Sequence, residues 1–97
     1  MRHEIILAPE AIDDLKRLDA RSRAMVKSAL ETYLRHEPTK TSRSRIKQLR
    51  GVRRPGYRLR VDKIRVFYDV SEGIVEVLAI VPKDRAQDWL AAWGEAK

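Results

Sequence analysis

Arginine is the residue type through which this chain could do chemistry, and it is concentrated in one place. Residues 43–65, RSRIKQLRGVRRPGYRLRVDKIR, hold ten Arg or Lys and one acid, Asp62, while the rest of the chain holds eleven Lys or Arg and thirteen acids. The formal net charge of +7 is therefore local. Tyr57-Arg58-Leu59-Arg60-Val61 alternates apolar and cationic side chains, the period of a strand with one buried and one open face. Asp62-Lys63 separates it from Ile64-Arg65-Val66-Phe67-Tyr68-Asp69-Val70, and two polar residues between such runs predict a tight hairpin. A two-residue loop sets Val61 opposite Ile64, Arg60 opposite Arg65, Leu59 opposite Val66 and Arg58 opposite Phe67. Arg58, Arg60 and Arg65 then crowd one face. Like charges facing each other across a sheet cost about 0.2–1 kcal/mol per pair, a penalty that an anionic ligand removes. Guanidinium groups bind phosphate bidentately and can stabilise the added charge of a pentacovalent phosphorane. RNA brings its own nucleophile, the 2′-hydroxyl, so a rigid cationic cluster could cleave it without metal.

Other chemistries lack their residues. Without cysteine, thiolate catalysis, Cys-ligated zinc and iron–sulfur clusters are excluded, and nothing argues for an oxidising compartment. There is no glycine-rich phosphate loop, HExxH, G-x-S-x-G or spaced metal-ligand set, so no cofactor is expected. His3 and His36 read as surface or capping residues, and Asp13-Asp14 as a solvated helix exterior. The N-terminus has no basic segment followed by a long apolar core, and no run approaches the length that crosses a bilayer. A soluble, cytoplasmic chain is expected, with a polyanionic or acidic partner. A membrane surface suits it least, because the arginines follow a strand pattern and not a basic amphipathic helix.

The elements that must position the arginines follow from periodicity. With 97 residues the chain forms one domain, 1–97. His3–Ala8 reads as a first strand and Pro9 as the first turn of a helix carrying Ile12, Leu15 and Leu18. After a polar break at Asp19–Ser22, Met25, Val26, Ala29, Leu30, Tyr33 and Leu34 mark a second helix, Arg23–Arg35, ended by Pro38. A helix-turn-helix is disfavoured because the second helix lacks outward groups suited to base edges. Lys47–Leu49 reads as a short edge strand, Arg50–Gly56 as a loop, and Ile74–Val81 as a central strand. Asp84 and Gln87 resemble a capping pair before a last helix with Ala86, Trp89, Leu90 and Trp93 as its apolar stripe. Trp93 is assigned to the core. The order β-α-α-β-β-β-α makes an α+β domain: a mainly antiparallel sheet, an N-terminal helical hairpin on one face, and the arginines on the other.

This order, together with KQLRG at 47–51, YRLRVDKIRVFYDV at 57–70 and VEVLAIVPKDR at 75–85, closely resembles the RelE/ParE superfamily of bacterial toxins from type II toxin–antitoxin systems. The resemblance runs along nearly the whole chain and is most specific between Gly56 and Val70. It implies a toxin, and for the RelE type a metal-independent endonuclease that cuts messenger RNA in the ribosomal A site, leaving a 2′,3′-cyclic phosphate and inhibiting translation. It also implies an acidic, helical antitoxin encoded next door, through which operator DNA is contacted.

Carried over by residue, the resemblance gives catalytic positions to Arg58, Arg60, Arg65 and Arg85, and RNA contacts to Lys47, Arg50, Arg53, Arg54, Lys63, Lys83 and Trp89. Arg65 and Arg85 would hold the scissile phosphate, Arg58 and Arg60 would neutralise developing charge, and Trp89 would stack a nucleotide. Two departures stand out. Trp89 occupies the place of a tyrosine common in RelE-type enzymes, and Pro82-Lys83-Asp84-Arg85 lacks the histidine of a frequent GHR motif. Arginine, with a pKa above 12, is a poor general base. The alternatives are a ParE-like toxin that inhibits DNA gyrase by binding, or a homologue that serves only as an antitoxin-binding module. The apolar stripe of the last helix and the basic face are where the antitoxin is expected.

Overall fold

Alternating apolar residues build a five-stranded sheet whose strands lie in the order Glu4–Leu7, Ile74–Pro82, Ile64–Ser71, Tyr57–Val61 and Ile46–Gln48, seen in a computed structural model that describes residues 2–96. The elements are β1 (Glu4–Leu7), α1 (Pro9–Arg17), α2 (Ala20–Ala29), β2 (Ile46–Gln48), β3 (Val52–Arg54), β4 (Tyr57–Val61), β5 (Ile64–Ser71), β6 (Ile74–Pro82), α3 (Ala86–Trp93) and β7 (Glu95–Ala96). β1 runs parallel to β6, and the remaining pairs of the sheet are antiparallel. No helix among the described residues is long and apolar enough to cross a membrane.

The helical hairpin covers one face. Ala11, Val26, Leu30 and Leu34 pack on Leu59, Val66, Tyr68, Val75 and Val77 to form the main core. Deep inside it the Tyr68 hydroxyl donates to the Pro38 carbonyl at 2.6 Å, which ties the end of the hairpin to β5. A buried phenol needs such a partner. Burial first, and Tyr57 second, hold the Tyr68 hydroxyl above the usual phenol range.

Several local expectations are corrected. α2 starts at Ala20 and not at Arg23, because the Asp19 carboxylate accepts from the Ser22 amide at 2.7 Å and caps the helix, satisfying a donor that would otherwise be orphaned. Its last turn, Leu30–Leu34, widens to π geometry. Asp14 is no solvated exterior acid. Its Oδ2 accepts from the Ile80 amide at 2.9 Å and its side chain is 14 % exposed, so it fastens α1 to β6. The segment Arg50–Gly56 is not wholly loop, since β3 within it pairs with β7 in a second, two-stranded sheet.

α3 begins differently too. A 3-10 turn, Lys83–Arg85, intervenes, Arg85 is the N-cap, and no side chain caps the helix. Asp84 lies one residue too early for the expected pairing with Gln87. α3 lies across the second face of the sheet, where the Trp89 ring stacks on Phe67 with centroids 4.8 Å apart and planes 11° from parallel. Trp93 is not in the core: it is 72 % exposed. As the last residue of α3 it lines the open groove toward α1 and so meets solvent instead of the sheet.

Candidate nucleic-acid interface

The β4–β5 hairpin has the register that alternation and a two-residue loop require. Val61 pairs with Ile64, Arg60 with Arg65, Leu59 with Val66, and Arg58 with Phe67. Asp62 takes the turn at φ 52°, a left-handed conformation that aspartate tolerates better than most residues. Leu59, Val61, Ile64 and Val66 enter the core. Period 2 then sends Arg58, Arg60 and Arg65 to the opposite face. β2 adds Lys47 beside Arg58, and β6 adds Val81 beside Arg65.

These three arginines take no part in the ion pairs among the described residues. Arg65 is only 7 % exposed, and its Nη1 donates to the backbone carbonyls of Asp62 at 2.8 Å and Ile64 at 3.0 Å. Those bonds fix its guanidinium without neutralising it. The Arg58 Nε is buried and has no hydrogen-bond partner. Burial, and then the neighbouring Arg60, lower the pKa of Arg58. Burial again comes first for Arg65, followed by Arg58 and Arg60, with Asp62 opposing. A guanidinium starts from so high a value that both remain charged at neutral pH. The result is a preorganised cationic cluster whose members form no ion pair among the described residues, with Arg58 and Arg65 partly desolvated.

The other candidate residues are spread around it. Lys63 and Lys83 meet at one end of the sheet, where the Lys83 amide donates to the Lys63 carbonyl at 2.8 Å. Arg50 and Lys47 flank a shallow groove between β2 and α3. Arg85 is the N-cap residue of α3. It lies in a groove of about 740 Å³ between α1 and α3, with Asp13, Asp88, Trp89 and Trp93 along the same walls. Arg53 and Arg54 are engaged by acids. Arg53 bonds Glu95 at 2.9 Å, which braces β3 against β7. Arg54 reaches Glu76 at 2.8 Å and Asp69 at 3.3 Å, and Asp69 also accepts from the Gly56 amide at 2.6 Å. Trp89 presents one ring face to Phe67, so that face holds α3 to the sheet and is closed to a nucleotide.

Two residues absent from the candidate set adjoin the cluster. Arg45 lies opposite Arg60: the Arg60 amide donates to the Arg45 carbonyl at 2.9 Å, and the Arg45 Nη1 donates to the Arg60 carbonyl at 3.3 Å. Phe67, 1 % exposed, is the cross-strand partner of Arg58. The signal for Arg45 was the alternation Arg45-Ile46-Lys47, too short to register as a strand. Among the described residues no group of three or more His, Asp or Glu is arranged to hold a metal ion.

Comparison with known proteins agrees with this architecture. The family model described as the ParE toxin of the type II toxin–antitoxin system parDE matches residues 5–89. The archaeal RelE of a RelE–RelB complex from Pyrococcus horikoshii OT3 superposes with TM-score 0.71 at 21 % identity, covering 89 % of this chain and all of that one. The toxin–antitoxin complex RelBE2 of Mycobacterium tuberculosis matches with TM-score 0.65 at 22 % identity, over 84 % of this chain and 99 % of that one. The DinJ–YafQ complex of Escherichia coli matches with TM-score 0.67 at 15 % identity, over 89 % and 98 %. No curated protein matches the sequence. At these identities the structures establish a shared fold, while the family match spans most of the chain. The protein belongs to the ParE toxin family, within the RelE/ParE superfamily of toxins from type II toxin–antitoxin systems.

Proposed function

We propose that this toxin is an endoribonuclease acting on messenger RNA in the ribosomal A site, with Arg58, Arg60 and Arg65 as the phosphodiester-binding cluster. The observation that carries the reading is that, among the described residues, none of three guanidinium groups on one face is in an ion pair, and two of them are partly desolvated. A phosphodiester supplies the missing charge. In the proposed reaction the 2′-oxygen forms a bond to phosphorus and the P–O5′ bond breaks, giving a 2′,3′-cyclic phosphate and a 5′-hydroxyl. The proton lost by the 2′-hydroxyl passes to solvent, and the departing 5′-oxygen takes one from solvent. The arginines stabilise the additional charge on the equatorial oxygens. Arginine does not exchange protons readily at neutral pH, so the chain contributes charge and the ribosome contributes alignment of the 2′-oxygen with phosphorus. Lys47, Lys63 and Lys83 border the site and attract the RNA backbone.

The relatives RelE, RelBE2 and YafQ are found in complexes with antitoxins, and an antitoxin encoded beside this gene is the expected partner here, contacting operator DNA in its turn. The site of action is the cytoplasm, where ribosomes are. A second reading, inhibition of DNA gyrase by binding, is favoured by the family's own description as a ParE toxin. Mapping RNA 5′ ends in cells expressing the toxin tests the first: cuts at fixed codon positions that vanish in Arg65→Ala are expected. Growth arrest with intact transcripts, together with loss of supercoiling by purified gyrase, overturns it in favour of the second.

A further inference from the structure

Arg45 belongs to the edge of the sheet, yet its side chain turns around that edge toward the helices. Its carbonyl accepts from the Arg60 amide and its Nη1 donates to the Arg60 carbonyl, so the two residues are held side by side. From there the Arg45 guanidinium carbon lies over the Tyr33 ring, 5.1 Å from its centre, a cation–π contact that restricts the side chain. Arg45 takes part in none of the ion pairs among the described residues. Arg45 and Tyr33 line a groove of about 800 Å³ between α2 and the β4–β5 hairpin, together with Ser28, Thr32, Ser44 and Asp62. Arg60 lines this groove too. The groove and the arginine cluster therefore share one residue.

From this continuity we infer that the Arg45–Tyr33 groove is a second nucleotide subsite, holding the nucleoside next to the phosphate bound by Arg58, Arg60 and Arg65. The inference rests on the reading of the cluster as an RNA site and adds to it the path of the strand. RNA leaving the cluster crosses the β2–β4 edge with its next phosphate on Arg45. Its base stacks on the exposed side of the guanidinium plane, a mode that single-stranded RNA uses with arginine and aromatic side chains. The hydroxyls of Ser28, Thr32 and Ser44 suit the ribose. Asp62, the one acid on the groove wall, repels a phosphate but accepts from an exocyclic amine. It thus favours cytosine or adenine over uracil, which lacks one. The volume falls within the range of small-ligand sites.

Fluorescence anisotropy with single-stranded RNA of two and of six nucleotides tests this with the full chain. The wild-type protein is expected to bind the longer oligonucleotide about tenfold more tightly, the contribution of roughly one stacked base. Arg45→Ala should abolish that length gain and flatten the salt dependence by about 0.7 of a log unit per log unit of salt. Arg45→Lys should recover the salt slope without the stacking gain, and Tyr33→Phe should keep both. Unchanged melting temperatures would show that the variants fold. If Arg65→Ala weakens binding while Arg45→Ala leaves the length gain intact, the subsite is wrong and the cluster stands. Equal binding of both oligonucleotides by the wild type also refutes the subsite. A wild-type protein that binds neither overturns the subsite, and if codon-positioned cuts in cells are absent as well the RNA reading falls with it. Intact RNA binding by Arg45→Ala with a weakened antitoxin complex reassigns the groove to a protein partner.

Discussion

Arg54 and Arg58 are four residues apart in one basic stretch, and the fold treats them oppositely. Arg54 is met by Asp69 and Glu76, and Arg53 beside it by Glu95. Arg58 is met by Phe67 across the ladder, with Arg60 and Lys47 for company. One set is neutralised and holds small strands together. The other is kept charged, partly dry and mutually repelling. Composition counts both as basic residues, but only the second resembles a binding site, because burying a charge without a partner is unfavourable unless something outside the protein supplies one.

The sharpest way to break this comparison is to remove one arginine of each kind. Arg65→Ala should lower RNA cleavage and toxicity by about 100-fold or more, the scale for losing one preorganised electrostatic group. Arg54→Ala should leave both within a few-fold. Growth arrest and primer extension would read the difference, and equal losses would erase the distinction between the sets. A large effect on folding is expected from the Trp89–Phe67 stack that holds α3 to the sheet. Trp89→Ala should destabilise the protein by about 3 kcal/mol in chemical denaturation, as for other large aromatics removed from packed sites. Trp93→Ala should stay within about 0.5 kcal/mol, because its indole is already in solvent.

Smaller effects sharpen the same contrast between satisfied and unsatisfied groups. Tyr68→Phe should cost about 1 kcal/mol through the lost bond to Pro38. Because the folded protein holds the Tyr68 proton more tightly than the unfolded chain does, wild-type stability should be full below about pH 10 and fall above it, as the unfolded phenol ionises first. Tyr68→Phe should remove that part of the alkaline loss. The smallest effects should differ in sign. Arg58→Met, which removes a partnerless buried Nε and a like-charge neighbour, should stabilise by about 0.5 kcal/mol, whereas Arg54→Met should destabilise by a similar amount. Thermal unfolding of the two variants would decide it.

The hairpin could be read from the chain because its signal is dense. Five alternating residues, a two-residue polar turn and a β-branched run left one register, and that register placed the arginines on one face. The helical hairpin was legible for the same reason, apart from its capping boundary at Asp19, where a single side-chain bond decides the start. β3 and β7 were not legible. Strands of three and two residues carry no period, and pairing between residues 52 and 96 is set by the position of α3. Trp93 and Asp14 were misread for a related reason. Helical spacing tells which side of a helix a residue occupies, but not whether a neighbouring element covers that side. The arginines' partners were likewise invisible, since Glu76 and Glu95 reach Arg54 and Arg53 only through the tertiary fold.

The parallel pairing of β1 with β6 has a bearing on synthesis. Glu4 is matched with Ile74 and Leu7 with Val77, so the first strand has no place to dock until the sixth has been made. Closing so long a loop is entropically costly and is compensated only when the sheet's central strands are present. A nascent chain therefore exposes its basic hairpin before β6 has been made, and the sheet behind the arginines can close only once residues as far as Pro82 are free to fold.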